Sequence, residues 1–244
     1  MRKISKTEAA QRLMAACAGL YADLTIDLHT TPNARAYEHH GAVVLKTMIH
    51  YSTNNIRPIW YMCDTGNSDL NAAYFALRRK KRSATYCIGP REGDTSLVFS
   101  RLSEPYVDPD IRPLNAEDNA VILSILCTPE DDSEEAKGIA NIIRNELTAY
   151  MADQNRRFLG LFKEATLVGV LVFHNKNNGE VIVINDVFVP REHRGQGHAV
   201  RLVRVATAMH PDARYVYSCG SQNLASIATA KKAGYVLAGT CVFS

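Results

Sequence analysis

Several things are missing from this 244-residue chain, and each absence removes a class of protein. Its six cysteines, at 17, 63, 87, 127, 219 and 241, form no CxxC pair, so neither a zinc site nor a disulfide framework is signalled. Reduced thiols in a cytoplasmic setting are the natural reading. No run approaches the ~20 apolar residues of a membrane span. The start "MRKISKTEAAQRLMAACAGLYADL" is basic, yet Glu8 and Arg12 interrupt any signal-peptide core. It reads as an amphipathic helix with a capping box from Ser5 and Glu8. Strong charge of one sign is lacking too. A net +3 suits anionic small molecules without demanding nucleic acid. His39, His40 and His50 have no partners at ligand spacing, so no metal is expected. What is present is an apolar fraction of 46%, enough for a core of one large domain or two small ones.

The stretch "SEPYVDPDIRP", residues 103–113, places three prolines and three acidic residues in a row and marks a seam. It divides the chain into an N-terminal domain, 1–105, and a second domain, 111–244. After the seam the pattern predicts a short strand, then a helix opened by Asn115 with Glu117 and Asp118 in its first turn. A second helix is expected in 133–152, where Ile139, Ile142, Ile143 and Leu147 recur at helical spacing. Strands at 157–164 and 166–175, a turn at 175–180 and a strand at 181–190 follow. A helix at 197–209 comes next, with Ala199, Leu202, Val203, Ala206 and Met209 on one face. A strand at 214–220, a helix at 223–234 and a strand at 235–243 close the chain. The order β-α-α-β-β-β-α-β-α-β is an α/β layer fold with a mixed, mostly antiparallel sheet flanked by helices.

The first half is less regular. "HGAVVLKTMIHY" and "IRPIWYMC" read as two strands or as a helix and a strand, "NSDLNAAYFALRRKKR" as a helix, and "SATYCIG" as a strand. Trp60, Tyr61 and Met62 are expected to fill its core. An echo links the halves at an offset of 156 residues, through Cys63 and Cys219 and through Asn67 and Asn223. It raises the reading of the N-terminal α/β domain as a degenerate repeat. The basic run at 78–82, "RRKKR", is read first as a solvated helix end and second as a contact for RNA or a phosphate.

The most informative segment is "NDVFVPREHRGQGHAVRLVRVATAMHP", residues 185–211. An alternating strand stops at Pro190, a glycine-bearing basic turn follows, and a helix begins. The first amides of a helix have no internal partner, and the dipole is positive there. Gly195 and Gly197 let backbone approach a ligand, and Arg191, Arg194 and Arg201 add charge nearby. That combination makes an anion site, most naturally for phosphate. A dinucleotide fingerprint would need a third glycine where Val200 stands, and a Walker loop would need a following Gly-Lys-Ser/Thr.

Arg194-x-x-Gly197-x-Ala199 resembles the Gln/Arg-x-x-Gly-x-Gly/Ala pyrophosphate loop of the GCN5-related N-acetyltransferases (GNAT). Downstream, "SQNLASIATAKKAGY" is similar to that family's penultimate helix through Asn223, Ser226, Lys232, Gly234 and Tyr235. The resemblance covers about residues 111–244. It implies acetyl-CoA as co-substrate, with its diphosphate on the amides of Arg194, Gly195, Gln196, Gly197, His198 and Ala199. It also implies pantetheine pairing near Phe188 and Val189, with lesser contacts from Asn223 and Ser226. Asp186 is the candidate base, weighed against an ordinary hydrogen-bonding role. Asp186 and Phe188 share one strand face; Asn185, Val187 and Val189 share the other. The family's usual acid, a tyrosine in the penultimate helix, is replaced here by Ala230. Tyr217, Ser226 or Tyr235 are the candidates to stand in for it; Tyr235 reads more readily as core.

The implied activity is direct acetyl transfer to a primary amine, on a small molecule or peptide. The alternatives are a non-catalytic acyl-CoA-binding module, motivated by the absent tyrosine, and an acetyltransferase acting on a tRNA-linked or nucleic-acid substrate. The expected state is a monomer or homodimer without membrane attachment.

Overall fold

A computed structural model describes residues 1–31, 33–52, 55–66, 68–80, 85–89, 95–102, 104–127, 141, 144–145, 151–176, 179–210 and 212–243. The fold is α/β, with a mixed, mostly antiparallel sheet flanked by helices. The chain divides into two compact units. Unit 1 holds residues 1–101, 216–227 and 235–244. Unit 2 holds 102–215 and 228–234.

Unit 1 begins with a strand that the sequence did not suggest, β1 (Arg2–Ile4), before helix α1 (Lys6–Thr30). Ser5 caps α1 as expected: its Oγ accepts from the Glu8 amide at 3.0 Å. The Glu8 carboxylate lies 3.5 Å from Arg2 and 4.0 Å from Arg12. Strands β2 (Arg35–His39), β3 (Ala42–Ser52) and β4 (Asn55–Cys63) run antiparallel in sequence. Helix α2 (Leu70–Lys80) then carries the chain to β5 (Thr85–Gly89), parallel to β4. The stretch "HGAVVLKTMIHY" is thus strand, not helix. Ala42, Val44, Trp60, Met62, Ala73, Tyr74 and Leu77 form one core beneath α2. Trp60 and Met62 fill that core, as expected. Of the basic run, Lys81 and Arg82 lie outside the described residues, and α2 ends at Lys80.

Strand β6 (Thr95–Leu102) went unread in the sequence. The order in unit 1 is β1-β2-β3-β4-β5-β12-β6-β11, where β11 is Arg214–Gly220 and β12 is Val236–Phe243. Strand β12 pairs antiparallel with both β5 and β6. The two segments of the echo share a strand–helix–strand order but differ in pairing. Strands β4 and β5 are direct parallel neighbours, whereas β11 and β12 are separated by β6. Asn67, half of that echo, lies outside the described residues.

Unit 2 is built on the order β10-β9-β8-β7, all antiparallel: β7 (Ile111–Pro113), β8 (Arg156–Lys163), β9 (Thr166–Lys176) and β10 (Val181–Phe188). Asn115 opens the first helical turn as predicted. Its side chain accepts from Glu117 N, and the Asp118 carboxylate accepts in turn from Asn115 N. Helix α3 (Asn119–Leu126) follows. The expected helix at 133–152 lies mostly outside the described residues; 141, 144, 145, 151 and 152 are helical. Strand β9 is apolar from Leu167 to Phe173 because both its faces are covered there, and those residues are all buried. One face meets Ile122, Cys127 and Phe158. Each such side chain contributes about 1.5–3 kcal/mol by burial. The other face receives helix α4 (His198–Ala208): a Cβ on Gly169 would stand 3.0 Å from Leu202 Cδ1, so a glycine is what lets the helix come this close. Helix α5 (Leu224–Lys232) precedes β12.

Candidate functional site

The site begins with a defect in β10. Ile184 pairs with Phe173 and Asp186 pairs with Val172, so Asn185 is an extra residue in a β-bulge. Phe173 and Val172 are consecutive and point to opposite sheet faces. Ile184 and Asp186 therefore face opposite ways, where unbroken alternation would have put them together. Ile184 is buried and Asp186 exposed. Phe188 packs on the cluster of Ile122, Phe158, Val170 and Val172, and Asp186 shares its face. The candidate base thus sits on the α3 side of the sheet. The Asn185 Oδ1 is buried without a donor, the one polar atom stranded by the bulge in this strand.

Past β10, residues 191–193 make a short 3-10 turn closed by His193 N to Pro190 O at 2.9 Å. The Arg194 Nε donates to Val189 O at 2.9 Å, folding the side chain back onto the strand end. Gly195 and Gly197 both take left-handed backbone, with φ of +78° and +79°. An L side chain is strained there. A Cβ at either glycine would meet nothing within 4 Å, so the turn opens onto empty space. The first backbone bond of α4 runs from Arg201 N to Gly197 O at 3.1 Å. The amides of His198, Ala199 and Val200 precede it and have no intrahelical acceptor. Gly197 is the N-cap and supplies no side chain to them. Unfilled donors, positive φ and an open approach together make an anion cradle.

One expectation about this turn needs correction. The Arg201 charge does not face the cradle: its guanidinium is held by Asp108 at 2.7 Å through both Nε and Nη2, and by Asp110 at 2.5 Å. His198 presents no side chain either. Its imidazole is buried, with both nitrogens unbonded, and burial pushes its pKa below the ordinary histidine range, with Arg201, His193 and Lys163 adding to the shift. Only its backbone amide is available. The apolar face of α4 is the expected one at Leu202, Val203 and Ala206; it widens to include His198 and Thr207, and Met209, past the helix end, is exposed.

In unit 1, Tyr217, Asn223 and Ser226 come together. The Tyr217 hydroxyl lies 2.6 Å from Ser226 Oγ, and Tyr217 is buried edge-on to Tyr235 at 5.9 Å. Asn223 Oδ1 accepts from Ser226 N at 3.0 Å, so its side chain serves as a helix cap. Tyr235 is core, as expected. Burial pushes the Cys219 thiol up, against a hydrogen bond from Ser226. Ala230, at the place of the family's tyrosine, is fully buried.

The strand–loop–helix of the N-terminal half offers a contrast. Between β4 and α2, Asp64 accepts from Gly66 N at 2.8 Å and from Ser68 Oγ, and Asp69 accepts from Ala72 N at 2.8 Å. Two of that loop's amides are thus taken by its own carboxylates. Among the described residues, no group of three or more His, Cys, Asp or Glu is placed to hold a metal.

Residues 120–235 match the model of the Acetyltransferase (GNAT) family. This chain carries a GNAT acetyltransferase domain. The GNAT domain is thereby an acyltransferase domain by family, and its family generally transfers acyl groups from acetyl-CoA. The fold match extends further than the sequence match. A GCN5-related N-acetyltransferase from Sphaerobacter thermophilus superposes with a TM-score of 0.59 at 12% identity, over 99% of this chain and 93% of that one. One from Kribbella flavida gives 0.56 at 12% identity, over 94% and 95%. A GNAT-family acetyltransferase from Colwellia psychrerythraea gives 0.53 at 12% identity, over 99% and 98%. At such identities the likeness concerns the fold alone. No curated protein matches the sequence. No described helix is long and apolar enough to cross a membrane.

Proposed function

We propose that the GNAT domain, residues 111–244, moves an acetyl group from acetyl-CoA to a primary amine by direct transfer in a ternary complex. The supporting observation is the open turn at the start of α4, where two left-handed glycines precede amides that have no acceptor of their own. A diphosphate fits that donor set in charge and direction. The amides of residues 195 to 199 hold it in this reading; the expected Arg194 amide is already bonded to Arg191 O at 3.2 Å, its side chain is fixed against the strand end, and Arg191 is exposed beside the turn. The backbone of Phe188 and Val189 takes the pantetheine arm.

Acetyl-CoA supplies the activated thioester. The amine must arrive uncharged, and Asp186 accepts its proton, directly or through water. A backbone N–H at the end of β10 steadies the developing oxyanion. Tyr217, hydrogen-bonded to Ser226, is the candidate donor to the leaving thiolate, since Ala230 cannot serve. The domain works in the cytoplasm on a small-molecule or peptide amine, as a monomer or homodimer. The N-terminal half shapes the substrate in this reading, and Asp64 and Asp69 take two amides of its β4–α2 loop.

A thiol-release assay over a broad amine panel tests this reading. Turnover of at least one amine is the expected result. Background rates with every amine, alongside tight coenzyme binding, would favour the non-catalytic module that the buried Ala230 suggests.

A further inference from the structure

The seam at 103–113 does more than join two halves. Asp108 opens an Asx turn: its Oδ1 accepts from Asp110 N at 3.1 Å, and its carbonyl accepts from Ile111 N at 3.1 Å, which starts β7. The Asp110 carbonyl receives Phe162 N at 2.8 Å, tying the turn to β8. The same Asp108 carboxylate grips the first turn of α4 in a two-pronged bond with Arg201, 93 residues away in sequence. Asp108 is only 5% exposed in this pair, whereas Asp110 is 53% exposed. A turn later, the Arg204 guanidinium lies 4.5 Å from the ring centre of Tyr106. Residues 106–110 therefore lie against α4 at two points, and one of them is the turn whose amides form the cradle.

We propose that residues 106–110 are a strap that positions the cradle of α4, with Asp108 as a positioning residue acting through Arg201; this rests on the coenzyme reading of that turn. Paired charge-assisted bonds fix direction as well as distance. The strap also sets charge. An arginine in the first turn of a helix opposes the dipole, and Asp108 and Asp110 cancel it there. The two-pronged bond to Asp108 keeps Arg201 off the glycine side, so backbone amides rather than a mobile side chain meet the diphosphate.

The sign of one substitution separates positioning from simple electrostatics. Removing a carboxylate beside an anion site should tighten coenzyme binding if only charge matters. Positioning predicts the reverse for Asp108 alone. In the full-length protein, Asp108→Asn should raise the KM for acetyl-CoA about fivefold or more, with kcat within roughly twofold, because loss of alignment at a preorganised site costs affinity. Asp110→Asn removes the same charge from an exposed, single-bond position and should leave KM within about twofold. Should Asp108→Asn fold poorly, Arg201→Lys keeps the charge, loses the fork, and should shift KM in the same direction by less. Equal or lower KM in a folded Asp108→Asn protein overturns the strap. Gly197→Asp runs alongside. If it weakens binding while Asp108→Asn does not, the strap fails and the coenzyme reading stands. If Gly197→Asp itself changes nothing, the coenzyme reading fails.

Discussion

Gly197→Asp is the sharpest perturbation of the cradle. Gly197 sits at φ +79°, ψ 4°, and a Cβ there points into open space. No clash accompanies the change, so its cost to the fold is backbone strain alone. Left-handed backbone costs an L residue about 1–2 kcal/mol, and Asp is among the residues that tolerate it best. In a domain of this size that lowers the melting midpoint by roughly 2–4 °C per kcal/mol. Gly197→Ala carries the strain without the charge and is the control. The charge effect is separate. A carboxylate roughly 5 Å from one phosphate charge, at an effective dielectric between about 20 and 80, is repelled by about 1–3 kcal/mol. At 1.4 kcal/mol per decade this is a loss of roughly fivefold to over a hundredfold in affinity. Isothermal titration of acetyl-CoA into wild type, Gly197→Ala and Gly197→Asp measures it. The alanine variant should bind within about twofold of wild type and the aspartate variant at least about fivefold more weakly. Equal affinity for a folded Gly197→Asp protein would refute the reasoning.

The remaining predictions concern the catalytic candidates and acid stability. Asp186→Asn should lower kcat by about a hundredfold or more while the KM for acetyl-CoA holds, as expected for loss of a general base; an unchanged kcat returns Asp186 to a structural role. Tyr217→Phe removes the hydroxyl bonded to Ser226. It should lower kcat by well over tenfold, against only about 1 kcal/mol of stability for one hydrogen bond. Burial holds the His198 imidazole below its ordinary pKa, so the unfolded chain binds that proton more readily. The neutral ring's contribution is complete above the unfolded value of about 6.5 and is lost as pH falls below it. Urea titrations should show His198→Leu losing less stability than wild type between pH ~6.5 and ~5. Asp108 acts in a lower window: Arg201 holds its carboxyl down, so its contribution is present above about pH 3.9 and lost below. Asp108→Asn should flatten that acid limb, and an unaltered limb would contradict the pairing.

How much of this was legible in the sequence depended on distance along the chain. The cradle is local: two glycines, a proline and a helix start lie within ten residues, and their chemistry can be read from composition. Strands β8 to β10 are legible because contiguous apolar residues must be covered, and the Asn115 cap because its donors lie two and three residues away. Strands β2 and β6 escaped because each mixes polar and charged residues into the pattern, Arg35 and Glu38 in one and Thr95, Ser96 and Ser100 in the other. The β10 bulge had no signal, since only the partner's register creates it. Arg201 was misjudged for the same reason. Its partners are 93 and 91 residues upstream, and only the fold brings them to it. The "DPD" turn is the one hint available, as an Asx turn waiting for a cation. The burial of the His198 side chain in the first turn of α4 has no local signal either.

The most direct test is the structure of the full-length protein with coenzyme A bound. The account predicts the diphosphate on the backbone amides between Arg194 and Ala199, with Arg201 still held by Asp108. A coenzyme seated elsewhere, or a turn whose amides are turned away from it, would contradict the account.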